Sequence, residues 1–406
     1  MRHWKTLTHK EQDERISAAL ANNIDFSNDI TLGIPASKLD QTVFYEQASF
    51  LKDAPLLRAY VQNPNHIGCH TMGDSEPFFA GTQALEREVI CLLSEDVFKA
   101  APDSCDGYVA SGGTEANLQA AWIYRNYFVN HCGATLDEVF IIASADTHYS
   151  VAKAANLLNL DLVQVSVDDD TRMIDPGVFD EAIKEVKRKG KQYAIIFCNM
   201  GTTMFGSVDD PDVYVAAMNK YQLQFCMHVD GAYGGFIYPI SAQESKLHFG
   251  NEYISSITLD AHKMLQAPYG TGIFLVRKGL IQNVCTKEAR YVSGMDMTLS
   301  GSRSGANAIA IWMILFTYGP FGWLEKINKL LFRTQWLCRQ LDEKGISYYR
   351  HPAMNIVTIR ARHIAPAIAE HYRLVPDDHE GHAAWYKIVV MDHVSIDQLE
   401  RFAAAL

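Results

Sequence analysis

The stretch Phe225-Cys226-Met227-His228-Val229-Asp230-Gly231-Ala232-Tyr233-Gly234-Gly235 decides the fold. A short apolar run stops at an acidic residue and passes at once into small residues, as a buried strand does when it leaves a sheet for a tight loop. Six further runs of this kind flank it: Tyr108 to Ala110, Val139 to Ala143, Leu162 to Val167, Tyr193 to Cys198, Ile254 to Leu259 and Gly272 to Val276. Several are apolar throughout rather than alternating, the pattern of strands covered on both faces. Helical stretches lie between most of them, among them Thr114 to Asn130, Pro176 to Lys189 and Pro211 to Tyr221. This alternation predicts an α/β fold with a mainly parallel central sheet. Ligands of such sheets bind beyond the carboxyl ends of strands, where Gly112, Thr203, Asp230 and Lys263 are all expected to fall.

After Gly305 the pattern changes. A long helical region from Ala306 to Lys344 carries a break at Gly319-Pro320, strand-like pieces follow at Ile356 to Ile359 and Tyr386 to Val390, and a last helix begins at Ser395. The expected organisation is an N-terminal helical arm (1–55), a large α/β domain (56–305) and a smaller C-terminal α+β domain (306–406). With 406 residues, 48% of them hydrophobic and 20% charged, the chain has the composition of a globular protein. A net charge of −11 without a basic face argues against a nucleic-acid partner. The longest apolar stretch, Ala306 to Tyr318, is too short to cross a bilayer, and Met1-Arg2-His3-Trp4-Lys5 lacks the apolar core of a secretory signal. A cytoplasmic location with no membrane partner is therefore expected. Eight cysteines without Cys-x-x-Cys spacing suit reduced thiols, and His66-Ile67-Gly68-Cys69-His70 lacks supporting ligands, so no metal is expected.

Four segments at strand ends carry chemistry. Ser111-Gly112-Gly113-Thr114 stands between a strand and a helix, so its glycines let backbone N–H groups approach an anion such as a phosphate. The helix dipole adds only about 0.3–1 kcal/mol, which leaves most of the grip to those N–H groups and the Thr114 hydroxyl. Asp146-Thr147-His148-Tyr149-Ser150 brings an imidazole to the same edge, and Gly201-Thr202-Thr203 brings hydroxyls. Thr258-Leu259-Asp260-Ala261-His262-Lys263 ends in an amine able to form a Schiff base with an aldehyde. Asp230 can hold a proton on a pyridine nitrogen. At about 4 Å such a pair is worth roughly 4 kcal/mol at an effective dielectric of 20, or about three pKa units on the nitrogen. Taken singly, a His-Lys pair also fits a surface and an Asp after a strand also fits a turn. Together they describe a site for pyridoxal 5'-phosphate.

These segments, with Ser111-Gly112-Gly113-Thr114-Glu115-Ala116-Asn117 and Val229-Asp230-Gly231-Ala232-Tyr233 foremost, resemble the pyridoxal-phosphate-dependent group II amino-acid decarboxylases of fold type I. Phe79 to Ile90 and Thr298 to Gly305 look like the archaeal tyrosine/aspartate decarboxylases. Tyr291-Val292-Ser293-Gly294 and Val390-Met391-Asp392-His393 look like the bacterial histidine decarboxylases. The resemblance implies that Lys263 binds the cofactor's aldehyde, that Asp230 pairs with its ring nitrogen, and that His148 stacks on one ring face with Ala232 on the other. It further implies that Gly112, Gly113, Thr114 and His262 neighbour the phosphate, and that Thr203 lies near the ring hydroxyl. Ser300, Gly301 and Ser302 match a loop that reaches the neighbouring protomer's phosphate, so a homodimer with its site at the interface is implied. Tyr291 falls where many members carry a mobile tyrosine that protonates the substrate carbon. The family resembled varies at the position of Asp260, where an anion close to a phosphate is unfavourable unless it pairs with His262 or faces away.

The activity implied is conversion of an L-amino acid to its amine and carbon dioxide, with an aromatic substrate such as tyrosine ahead of aspartate, histidine or glutamate. The Cα proton would come from Tyr291, His148 or a water. Arg58, Arg290, Arg303 and Arg360 are candidates for holding the substrate carboxylate. The same cofactor also serves carbon-carbon lyases and oxidative aldehyde synthases, and a non-catalytic relative would keep the fold alone.

Overall fold

The computed structural model describes residues 71–73, 80–286 and 295–406, with Lys10, Ile30, Leu32, Asp40, Thr42 and Val43. Nearly all of the expected N-terminal arm lies outside the described residues. Seven strands build the larger sheet: β1 (Cys105–Ala110), β2 (Val139–Ser144), β3 (Asp161–Val165), β4 (Tyr193–Asn199), β5 (Gln224–Gly231), β6 (Ile254–Asp260) and β7 (Gly272–Arg277). Their order is β1-β7-β6-β5-β4-β2-β3. Every neighbouring pair is parallel except those of β7, which runs antiparallel to both β1 and β6. Since β7 separates β1 from β6 by two reversals, β1 points the same way as β6. The carboxyl ends of β1, β6, β5, β4 and β2 therefore share one edge of the sheet.

Strand β4 shows why several of the runs are apolar throughout. Ala194, Ile196 and Cys198 enter one hydrophobic core, whereas Ile195 and Phe197 enter another on the opposite face. Side chains alternate across a sheet, so two buried faces favour a run of successive apolar residues. The helices that cover these faces are α1 (Ala80–Cys91), α2 (Gly113–Cys132), α3 (Ser150–Leu158), α4 (Pro176–Arg188) and α5 (Pro211–Lys220). Asp175 and Asp210 start α4 and α5: each side chain accepts N–H groups of the first turn, with proline at the next position. Gly133 closes α2 in the left-handed conformation, φ 70°.

The expected break at Gly319-Pro320 is present: α6 (Gly305–Glu343) is two helical segments meeting at a kink, where Gly319 takes a non-helical conformation, φ 59° and ψ −177°, ahead of Pro320. By length and composition α6 could cross a membrane. Here Ala308, Ile311, Ile314, Ile327 and Leu330 enter the larger core, and Lys326 is buried in ion pairs with Asp40 and Asp392. Beyond it lies an antiparallel sheet of β8 (Tyr348–Tyr349), β9 (Ile356–Arg360), β10 (Val375–Pro376) and β11 (Trp385–Val389), in order β10-β11-β9-β8. Helices α7 (Pro366–His371) and α8 (Ile396–Ala405) accompany it, and Ser395 and Gln398 close a capping box at the start of α8. A third core holds Leu337, Leu341, Val357, Ile359, Ile388 and Phe402. Strand β11 thus turns Ile388 inward, while Trp385 packs edge-on against Phe205 and Val389 joins the larger core. Lys387, between them on that face, is directed at the loop after β4.

Candidate active site

A cavity of about 400 Å³ opens at the shared strand edge, lined by residues of all five loops. It brings together Gly112, Gly113, Thr114, His148, Thr203, Asp230, Ala232, His262 and Lys263. Positions far apart in sequence thus meet because the strands that carry them are parallel. Tyr291 lies outside the described residues, as do Arg58, Arg290 and the segment 66–70. Ser300, Gly301 and Ser302 do not line the cavity of their own chain; Ser300 instead donates to Glu115 at 3.1 Å, beside the first turn of α2.

The floor is built from backbone. Gly113 begins α2, which has no side-chain cap, and the first N–H groups of a helix lack intrahelical acceptors. Glu115 takes the Ser111 N–H at 2.8 Å and the Tyr108 hydroxyl at 3.2 Å, which holds the loop in place. A Cβ on Gly113 would come 3.0 Å from Asp260 Oδ2 and 3.1 Å from the Ala232 Cβ. From below, Gly272 lets the loop settle, since a Cβ there would stand 2.5 Å from Gly112 Cα. Gly272→Ala is therefore expected to push the 111–113 loop into the cavity. It should destabilise the protein by about 1–3 kcal/mol and weaken cofactor binding, as read by thermal melting and by titration with pyridoxal phosphate.

Asp230, at the end of β5, is 7% exposed. Its Oδ2 accepts from Asn117 Nδ2 at 2.7 Å and its Oδ1 from the Ala232 N–H at 3.1 Å. His148 lies half-buried before α3, its Nδ1 2.9 Å from Ser150 Oγ and its ring tilted over Tyr149. Burial holds its imidazole below the ordinary value, against the upward pull of Asp230; Lys263 adds to the lowering. Burial likewise lowers His262, so both imidazoles favour the neutral form. Asp260 resolves its unfavourable charge by pairing with Lys263 Nζ at 3.0 Å, with His262 Nε2 at 3.6 Å. Its Oδ1 and His262 Nδ1 are buried without a hydrogen-bond partner among the described residues.

Of the arginines considered for the substrate carboxylate, the two described ones are committed elsewhere. Arg303 is 7% exposed and pairs with Glu86 under the Tyr108 ring. Arg360 pairs with Asp169 and Asp170 and stacks on Trp385. Sequence reading missed Lys387, which is 4% exposed and donates to the Thr203 carbonyl at 3.1 Å. Burial, and then Lys263, push its pKa down to about 8. A lysine inside an apolar run at the end of a strand pattern gave no sign of facing the β4 loop.

The family model for the pyridoxal-dependent decarboxylase conserved domain matches residues 82–354, well over half of the chain. The chain belongs to this family. It is 55% identical over 399 residues to tryptophan decarboxylase of Clostridium sporogenes, an alignment that covers 98% of this chain and 96% of that protein. It is 29% identical to histidine decarboxylase of Vibrio anguillarum over 67% of each. In fold it is similar to L-methionine decarboxylase from Streptomyces sp. 590, with a TM-score of 0.80 at 20% identity, covering 99% of this chain and 96% of that one. This decarboxylase thus acts on an amino acid with pyridoxal 5'-phosphate. The residues present fit that cofactor. An uncapped helix start and two closely packed glycines suit a phosphate, a buried carboxylate suits a protonated ring nitrogen, and the amine of Lys263 lines the same cavity.

Proposed function

We propose that the enzyme decarboxylates an aromatic L-amino acid, with tryptophan first among them. The observation that carries this reading is the 55% identity with a tryptophan decarboxylase along nearly the whole chain. The cavity is consistent with it. Tyr149 and Tyr269 stand at its walls, where an aromatic side chain can pack. Incubating the holoenzyme with tryptophan, tyrosine, phenylalanine, histidine and aspartate tests this by evolved carbon dioxide. Tryptophan should give the highest kcat/KM and aspartate a value at least about a hundredfold lower, the worth of roughly 2.7 kcal/mol. Aspartate in the lead would overturn the assignment.

Pyridoxal phosphate, when bound, supplies an aldehyde that takes up amines and a ring that accepts the electron pair left when the bond from Cα to the carboxylate breaks. In our reading the protein's part is to hold, orient and move protons. Lys263 Nζ would supply the amine that holds the aldehyde, and Asp260, 3.0 Å from it, would orient it. Asp230 would hold a proton on the ring nitrogen. His148 and Ala232 would hold the ring, Gly112, Gly113, Thr114 and His262 the phosphate, and Thr203 the ring hydroxyl. Which Cα bond breaks depends on its orientation, and so on the group that grips the carboxylate. The proton returned to Cα would come from Tyr291, His148 or a water. The loop Ser300–Gly301–Ser302 is offered to a second protomer, and we infer a cytoplasmic homodimer.

For the carboxylate grip we propose Lys387. Among the described residues its one acceptor is the Thr203 carbonyl, which leaves two N–H donors and an uncompensated buried charge beside the cavity. A charge-assisted hydrogen bond contributes about 1.5–3 kcal/mol, so Lys387→Met should raise KM about ten- to a hundredfold. Its lowered pKa gives the sign of the pH dependence. Below about 8 the ammonium is charged and holds a carboxylate; above it the charge is lost. Accordingly kcat/KM, which reports the free enzyme, should fall as pH rises through about 8, and Lys387→Arg should remove that limb. An unchanged alkaline limb in the arginine variant would exclude Lys387.

A further inference from the structure

Beneath the cavity, between α2 and the sheet, a chain of buried polar side chains links Asp230 to His148. Asn117 stands at its branch point. Its Nδ2 lies 2.7 Å from Asp230 Oδ2 and 2.9 Å from Ser150 Oγ, and its Oδ1 lies 3.0 Å from His228 Nε2. Ser150 Oγ is 2.9 Å from His148 Nδ1, while His228 Nδ1 is 2.6 Å from Ser256 Oγ, which also meets the Tyr124 hydroxyl. Tyr124, Ser256 and His228 are fully buried, and Asn117 and Ser150 are 1% exposed. No solvent reorients these groups.

The hydrogen atoms follow from one fact: a carboxylate only accepts. Asn117 must therefore turn its amide nitrogen to Asp230, and its oxygen to His228. His228 Nε2 then donates, its hydrogen shared between the Asn117 oxygen and Thr258 Oγ1, each 3.0 Å away, and its Nδ1 accepts from Ser256, which accepts from Tyr124. On the other branch the second N–H of Asn117 occupies the Ser150 oxygen, so the Ser150 hydroxyl donates to His148 Nδ1. The Ser150 backbone N–H, 3.2 Å from the same nitrogen, reinforces this. His148 is left with its hydrogen on Nε2. Burial supports the arrangement from behind, pushing His228 down to about 4 and Tyr124 well above its ordinary value, so that one remains neutral and the other remains a donor.

We propose that Asn117, anchored by His228, is a positioning residue that couples the two groups facing the cofactor's ring: it fixes the carboxylate of Asp230 and, through Ser150, sets the tautomer of His148. This rests on the reading of Asp230 and His148 as ring neighbours. Asn117→Asp is the near-isosteric test, because a carboxylate at that point accepts where the amide donated. The Ser150 hydroxyl turns toward the new carboxylate, Ser150 offers His148 an oxygen instead of a hydrogen, and Asp230 gains a like charge in place of a donor.

The readouts are the side-chain nitrogen signals of histidine in ¹⁵N-labelled holoenzyme, assigned with a His148→Gln sample, and the dissociation constant for pyridoxal phosphate. In the wild type, His148 Nδ1 should read as unprotonated. In Asn117→Asp it should carry a proton, and the dissociation constant should rise at least tenfold. Adding Ser150→Ala cuts the path: the His148 signals should match those of Ser150→Ala alone while the dissociation constant stays raised. A double variant whose His148 signals differ from those of Ser150→Ala alone means direct electrostatics and overturns the relay, as does a wild-type His148 in Asn117→Asp. Should Asn117→Asp not fold, Ser150→Ala alone must give His148 a second, Nδ1-protonated population with the dissociation constant within threefold; one unchanged population overturns the proposal. If Asp230→Ala binds the cofactor as the wild type does, the ring-neighbour reading fails, and the coupling falls with it.

Discussion

Lys263→Arg is expected to lower kcat by about three to six orders of magnitude, the range for loss of a covalent catalytic group, while leaving the fold intact. Arginine is the informative replacement because Lys263, beyond the covalent role proposed for it, is also a counter-charge. Its ammonium neutralises Asp260 at 3.0 Å, and Asp260 is 3% exposed. Alanine would remove both the amine and the counter-charge, and stranding a buried carboxylate costs about 3–5 kcal/mol, so a dead alanine variant could be an unfolded one. A guanidinium retains the charge opposite Asp260, yet does not lose its proton in proteins and cannot act as the amine. Thermal melting within a few degrees of wild type, together with loss of carbon dioxide release, would separate the covalent role from the structural one. Retention of more than about a hundredth of the wild-type rate would remove Lys263 from the reaction.

Asp230→Asn should cost about a thousandfold in kcat. The figure follows from the worth of one opposite charge at close range, roughly 4 kcal/mol at an effective dielectric of 20, if the full term is felt as the Cα bond breaks. The substitution keeps size and shape. It also forces a conflict, because both oxygens of Asp230 accept, one from Asn117 Nδ2 and one from the Ala232 N–H. An amide can satisfy only one of these and must turn its NH2 against the other donor. KM for the amino acid should change far less than kcat, since Asp230 is not assigned to the substrate. A variant with more than about a tenth of the wild-type kcat would mean that no charge is needed at that position.

Much of this was legible in the sequence, for a physical reason. Strands buried on both faces are mostly apolar at successive positions, so β2 and β4 appear as unbroken runs, and the loop after each strand falls at the ligand edge of a parallel sheet. That logic alone brought Gly112, Thr203, Asp230 and Lys263 together, and the cavity contains all four. Pairing partners, by contrast, are non-local. Nothing in Gly272 to Arg277 distinguishes an antiparallel strand inserted between β1 and β6 from another parallel one. Asn117 sits in a motif read for its glycines and hydroxyl, and its contacts with Asp230 and His228 span 113 and 111 residues. Arg303 offered a charge to be guessed at, but its partner Glu86 lies 217 residues away and is fully buried. Lys387 was passed over because a strand of the second sheet gives no hint of which loop it faces.

Reduction of the holoenzyme with borohydride, followed by digestion and mass spectrometry of the peptides, locates the amine that carries the cofactor. The reduced cofactor should be fixed to the peptide carrying Lys263, and Lys263→Arg should carry none. A label on Lys387 or any other lysine, or no label on protein that still releases carbon dioxide, would contradict it.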